Sequence, residues 1–116
     1  MRHHNVNRKF GRTRKVRTAL LRGLALNLVV RGRIRTTEAK AKELRPFVEK
    51  LVTKAKNPNL ANQRALVSKL LNQRRETKKL FERAAKYQDK KGGYTRILKL
   101  GRRTSDGSKM AIIEFV

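Results

Sequence analysis

Residues 31–55 read RGRIRTTEAKAKELRPFVEKLVTKA, and the fold turns on how this stretch divides. Gly32 is the residue type that closes a helix in the left-handed conformation. Arg33-Ile34-Arg35-Thr36 then reads as a short extended segment, with the lone Ile34 turned inward. Thr37 is placed to cap a second helix. Along that helix Ala41, Leu44, Phe47, Val48, Leu51, Val52 and Ala55 share one stripe, while Lys42, Glu49, Thr53 and Lys56 share the other. Pro46 falls inside it, where proline removes a backbone hydrogen bond at a cost of about 3 kcal/mol. It projects from the polar side, so a kink or local break is expected near Arg45, with water serving the freed carbonyl.

Toward the N-terminus, Val16, Leu20, Leu24 and Leu28 recur at four-residue steps between Thr13 and Arg31. Arg14, Thr18 and Arg22 run along the opposite side, so one face of this first helix packs and one faces outward. Ala25, Leu26, Val29 and Val30 make its later half apolar nearly all round, the mark of a helix buried on most sides. Met1 to Arg12 is different: Val6 and Phe10 are nearly its whole apolar content. Such a segment cannot offset the entropy of its own ordering, and it is expected to be an arm that folds on a partner.

Toward the C-terminus, Asn57-Pro58-Asn59 is a turn, with Asn59 capping a third helix through Leu66, Val67, Leu70 and Leu71. A fourth helix follows from about Glu76, with Leu80, Phe81, Ala84 and Ala85 inward. Gly92-Gly93 stops helical structure. Tyr94 to Leu100 and Met110 to Val116 are then strand-like, joined by a basic loop, Gly101 to Ser108, that contains Asp106-Gly107. The reading is an α+β fold in two layers, in the order α-β-α-α-α-β-β. A small mixed three-stranded sheet packs on helices, and a basic extended N-terminal arm precedes it. Residues 1–12 form the arm and residues 13–116 a single globular domain.

Charge decides what this fold is for. The 116 residues carry 32 Lys and Arg against 8 Asp and Glu, a net charge of +24. Such a surface repels itself until a polyanion or counterions neutralise it. The distribution is sharper still: Arg2, Arg8, Lys9, Arg12, Arg14, Lys15, Arg17, Arg22, Arg31, Arg33 and Arg35 precede the first carboxylate, Glu38. Beyond it Glu38, Glu43, Glu49, Glu76, Glu82 and Asp89 are mixed with lysines, as on an ordinary solvated helix surface. From Lys91 onward a second, weaker basic patch carries Arg96, Lys99, Arg102, Arg103 and Lys109.

Other chemistry finds no support. The chain has no cysteine, hence no disulfide, thiolate nucleophile or Cys-type zinc site. His3 and His4 stand alone and cannot complete a tetrahedral metal site. Gly92-Gly93 leads into a strand rather than a helix, so it is not a phosphate-cradling loop. The acids sit singly rather than as an apolar-pocket pair suited to acid–base work. No enzyme, cofactor or resident metal is expected. The apolar run Leu24 to Val30 is too short to span a bilayer, so no membrane partner is expected. An organellar targeting segment would be Ser-rich, whereas the first serine is Ser68.

Arginine dominates the acid-free third, and guanidinium groups fork onto phosphate oxygens or stack on bases. With few aromatics and no helix-turn-helix or zinc-finger pattern, recognition by shape and backbone is expected, on RNA rather than duplex DNA. An architectural DNA-binding protein is the alternative.

Several blocks carry a family resemblance: Met1-Arg2-His3, Gly32-Arg33-Ile34-Arg35-Thr36-Thr37, Ala39-Lys40-Ala41-Lys42-Glu43-Leu44-Arg45-Pro46, Gly92-Gly93-Tyr94-Thr95-Arg96-Ile97-Leu98-Lys99, and Asp106-Gly107 with Met110-Ala111-Ile112-Ile113-Glu114. In this order and spacing the chain resembles bacterial large-subunit ribosomal protein L17. The resemblance implies a structural constituent of the large ribosomal subunit in the cytoplasm, one copy per ribosome. It would be bound to large-subunit ribosomal RNA near the polypeptide exit side and beside neighbouring ribosomal proteins. It implies RNA contacts at Arg2, His3, Arg8, Lys9, Arg12, Arg14, Arg17, Arg22, Arg33, Arg35, Arg96, Lys99, Arg102 and Arg103. Lys15 joins them from the acid-free stretch. It also suggests that the Ile34 strand pairs with the C-terminal hairpin.

Overall fold

In a computed structural model, which describes residues 13–116, the elements follow one another as expected. They are α1 (Arg14–Arg31), β1 (Arg33–Thr37), α2 (Glu38–Ala55), α3 (Leu60–Lys69), α4 (Arg74–Ala85), β2 (Thr95–Arg102) and β3 (Lys109–Phe115). The expected arm, residues 1–12, lies outside the described residues.

Local chemistry sets most boundaries. Helix N-termini leave four N–H groups without helical partners, and short polar side chains supply acceptors. Thr13 Oγ1 accepts from Val16 N at 3.5 Å, Thr37 Oγ1 from Lys40 N at 3.3 Å, and Asn59 Oδ1 from Asn62 N at 2.8 Å. Gly32 ends α1 with φ +84°, its N–H donating to Leu28 O at 2.7 Å, and the chain passes straight into β1. Pro46 does not break α2, which runs unbroken from Glu38 to Ala55. Pro46 is exposed, and so is Lys42, whose carbonyl loses its helical donor. The freed group therefore meets solvent, and the helix bonds on either side close normally.

The sheet order is β1-β3-β2, so β1 does pair with the hairpin. The expected mixed pairing is corrected: both ladders are antiparallel. A hairpin makes β2 and β3 antiparallel, and β1 adds to the far edge of β3 rather than to β2. β1 and β2 thus run the same way without touching. Between Lys99 and Arg102 the register slips through a bulge, which bends the hairpin tip.

One cluster of buried side chains joins the elements. It draws Ala25, Leu28 and Val29 from α1, six residues from Ala41 to Ala55 on α2, Leu66 and Leu70, Leu80 and Ala84 from α4, Tyr94, and Ala111 and Ile113 from β3. Each large aliphatic side chain removed from water here contributes about 1.5–3 kcal/mol before entropy is counted. The expected α2 stripe is buried except for Phe47, which is half-buried. Three expected inward positions differ: Val16 is 53% exposed, and Leu71 and Ala85 are also exposed. The N-terminal half of α1 extends past the core, since its first buried residue is Ala25.

Candidate nucleic-acid interface

The expected contact residues fall on two surfaces separated by α1, whose 18 residues span about 27 Å. Arg2, His3, Arg8, Lys9 and Arg12 lie outside the described residues.

The first surface is the projecting half of α1. Arg14, Thr18 and Arg22 stack at four-residue steps, with Lys15 beside them. Together with Ala19 and Leu71 they line one cleft. Its far wall is the turn between α3 and α4, where Leu71 and Asn72 adopt φ +57° and +59°. A left-handed leucine is strained, and here the strained residue stands against the basic stripe. Among the described residues Arg14, Lys15 and Arg17 make no ion pair. The Arg22 Nε is buried with no hydrogen-bond partner. These are cations whose charges are not spent inside the fold.

The second surface is the outer face of the sheet. Successive strand residues alternate between faces, so Ile34, Thr36, Ile97, Ala111 and Ile113 turn toward the helices. Arg33, Arg35, Arg96, Leu98, Ile112 and Glu114 turn away. Arg35 is exposed and without an ion pair, whereas Arg33 and Arg96 both reach Glu114. Lys99 is drawn to the start of α2, with Nζ 3.8 Å from Glu38 Oε1, which Lys42 holds at 2.9 Å. The Lys42 hydrogen bond, assisted by the Lys42 and Lys99 charges, lowers the Glu38 carboxyl below its ordinary pKa.

The hairpin tip uses its cations internally. Arg103 forks onto Asp106, Nε to Oδ1 at 3.0 Å and Nη2 to Oδ2 at 2.6 Å. Arg102 Nη1 donates to Gly107 O at 3.0 Å. The Arg103 hydrogen bonds first, and the Ser108 N–H second, hold the Asp106 carboxyl far below the usual carboxylate range. Arg103 therefore shapes the loop, and its fork is already occupied.

Two further residues have roles that their sequence positions do not advertise. Glu49, on the polar stripe of α2, accepts from Gly93 N at 3.0 Å and Tyr94 N at 3.3 Å through Oε1, and from Thr95 Oγ1 at 3.5 Å through Oε2. It fixes the entry to β2. The buried Tyr94 completes this latch: its hydroxyl accepts from Lys56 Nζ at 3.2 Å and donates to Lys90 O. Arg83 of α4 donates from Nε to Val29 O at 2.8 Å, and its guanidinium lies 5.1 Å from the Phe115 ring centroid. It pins the end of α1 to β3. An alternating charge pattern would not have exposed either role, because the hydrogen-bond partners lie 44 to 54 residues away.

Among the described residues no three His, Cys, Asp or Glu side chains gather as metal ligands. A groove between α3 and α4 is walled mainly by Pro58, Leu60, Val67 and Phe81 with Arg64, Arg74 and Lys78 at its margins. No described helix is long and apolar enough to cross a membrane.

Known proteins place this geometry. The profile of the family described as ribosomal protein L17 matches residues 20–116. The large ribosomal subunit protein bL17 of Sphingopyxis alaskensis is 51% identical over 116 residues, covering 100% of this chain and 84% of that protein. The bL17 protein of Gemmatimonas aurantiaca is 52% identical over 117 residues, covering 100% of this chain and 98% of the relative. That of Neorickettsia sennetsu is 44% identical, covering 100% of both. Each alignment includes the N-terminal segment, although the family profile begins only within α1. The chain belongs to the ribosomal protein L17 family, a family of ribosomal proteins rather than enzymes.

Proposed function

We propose that this protein is a structural constituent of the large ribosomal subunit. It binds large-subunit ribosomal RNA through phosphate-directed Arg and Lys contacts and supports the folded RNA during translation. The observation that carries the reading is the set of cations that make no ion pair among the described residues on the two surfaces: Arg14, Lys15, Arg17 and Arg22 on α1, and Arg35 on β1. Arginine matches phosphate oxygens bidentately, and a surface rich in unpaired cations attracts the backbone regardless of base sequence. The names of the relatives, all large-subunit proteins, support the same compartment, the cytoplasmic ribosome.

Residues 13–116 act as a single wedge with basic surfaces at both ends of α1. Residues 1–12, with Arg2, His3, Arg8, Lys9 and Arg12, extend the α1 surface as an RNA-binding arm. Arg33, Arg96 and Lys99 add contacts on and beside the sheet, and at the hairpin tip Arg102 and Arg103 contact RNA through the N–H groups that Gly107 and Asp106 do not occupy. Neighbouring large-subunit proteins complete the surroundings, with one copy of this chain per ribosome. Chemistry at the ribosome belongs to the RNA.

Binding of the isolated full chain to a large-subunit RNA transcript across a salt series tests this. Several simultaneous phosphate contacts give a log–log slope on the order of −5 to −10. A flat response, or preference for duplex DNA in competition, would overturn the reading.

A further inference from the structure

Three residues form one cross-strand row on the outer face of the sheet. Arg33 of β1 and Arg96 of β2 are both the direct register partners of Glu114 on β3. The carboxylate engages both: Oε1 accepts from Arg96 Nε at 2.7 Å, and Oε2 lies 3.7 Å from Arg33 Nε. The glutamate side chain is only 12% exposed, whereas each arginine is 59% exposed. An acid at the centre of a basic face opposes the attraction of phosphate, since it cancels one of two adjacent charges. Its presence calls for a compensating effect.

The contacts show what that effect is. Each arginine turns Nε to the carboxylate, Arg96 in a hydrogen bond and Arg33 in a longer charge contact, and the terminal nitrogens of both make no hydrogen bond among the described residues. Those terminal nitrogens are the pair that forks onto phosphate oxygens. Arg35, Ile112 and Leu98 occupy the next row, so among the described residues Arg33 and Arg96 have no other acid beside them on the face. Free arginine side chains lose rotamer freedom on binding, and an anchored pair has lost it beforehand.

We propose that Glu114 is a positioning residue for RNA binding, holding Arg33 and Arg96 as a pre-set pair of phosphate forks across the sheet. This rests on the RNA-binding reading above. It inverts the expectation from net charge. If Glu114 were only a diluting charge, removing it would tighten binding; if it positions the pair, removing it loosens binding.

The test measures affinity of the full chain for a large-subunit RNA transcript at fixed salt, in Glu114→Gln, Glu114→Ala and the double variant Arg33→Ala/Arg96→Ala. Glu114→Gln is expected to bind about 3- to 10-fold more weakly, the loss associated with one or two newly mobile side chains. Nε–H exchange at Arg96 in the free protein is expected to accelerate as its hydrogen bond is lost, and the readout that a purely structural role would not move is RNA affinity at unchanged melting temperature. Tighter or unchanged binding by Glu114→Gln overturns the proposal, as does a lowered melting temperature with unchanged affinity. If glutamine disturbs the fold, Glu114→Ala must give the same direction. The double arginine variant separates the two claims. Weakened binding there, with no loss in Glu114→Gln, refutes the positioning role alone. An unaffected double variant shows that this face does not touch RNA, and both fall.

Discussion

Replacing Gly32 with alanine probes the joint that sets α1 against β1, and with it the two basic surfaces. The residue has φ +84°, a left-handed conformation that costs an L-amino acid about 1–2 kcal/mol. The added Cβ would lie 3.1 Å from Arg83 Nη2, closer than ordinary contact, so the guanidinium must give by a few tenths of an ångström. That guanidinium is held by the Val29 carbonyl and the Phe115 ring, and loosening either forfeits up to about 1 kcal/mol. The expected total is about 1–3 kcal/mol. For a unit of this size each kcal/mol lowers the melting temperature by roughly 4–8 °C. Thermal unfolding followed by circular dichroism measures the loss. Repeating Gly32→Ala in an Arg83→Met background isolates the contact, because only the conformational part remains there. A loss below about 0.5 kcal/mol would refute the left-handed requirement. Equal losses in both backgrounds would refute the role given to Arg83.

Glu49→Ala removes the acceptor for Gly93 N, Tyr94 N and Thr95 Oγ1. It is expected to cost about 1.5–3 kcal/mol in chemical denaturation, the range for hydrogen bonds to a charged group, with faster amide exchange at Gly93 and Tyr94. In an NMR titration, Asp106 is expected to protonate well below the ordinary aspartate value of about 3.9, because Arg103 holds it charged. Since the folded value is depressed, the contribution of this pair is complete above the ordinary value and is lost as pH falls through the depressed one. Arg103→Ala should return Asp106 toward the ordinary range, and an unchanged midpoint would contradict the assignment.

The order of elements was legible because its signals are local. Thr13, Thr37 and Asn59 cap helices within three residues of themselves, Gly32 stops one, and Asp106-Gly107 turns one hairpin. Periodicity also marked the α2 stripe correctly. It failed at Val16, Leu71 and Ala85, because a repeating apolar pattern identifies a face without showing where the neighbouring element ends. Of the kink or local break expected near Arg45, the break is absent: α2 runs on through Pro46, with Lys42 and Pro46 both exposed to solvent. Strand pairing was the other limit. Nothing local distinguishes a strand that joins β3 from one that joins β2.

The basic surfaces were legible as a charge distribution but not as a partition. The acid-free stretch located Arg14, Lys15, Arg17 and Arg35, whose side chains remain without ion pairs. Charge along the sequence did not distinguish these from Arg103, whose fork is occupied by Asp106, or from Arg33 and Arg96, which share Glu114. Nor did charge alone separate one polyanion from another. The family match supplied that step.

The most direct test of the central claim is sedimentation. Tagged protein expressed in bacterial cells should travel with the large subunit through a gradient and stay with it after a high-salt wash, at about one copy per subunit. Release by the wash, or sedimentation apart from the large subunit, would contradict a permanent structural role.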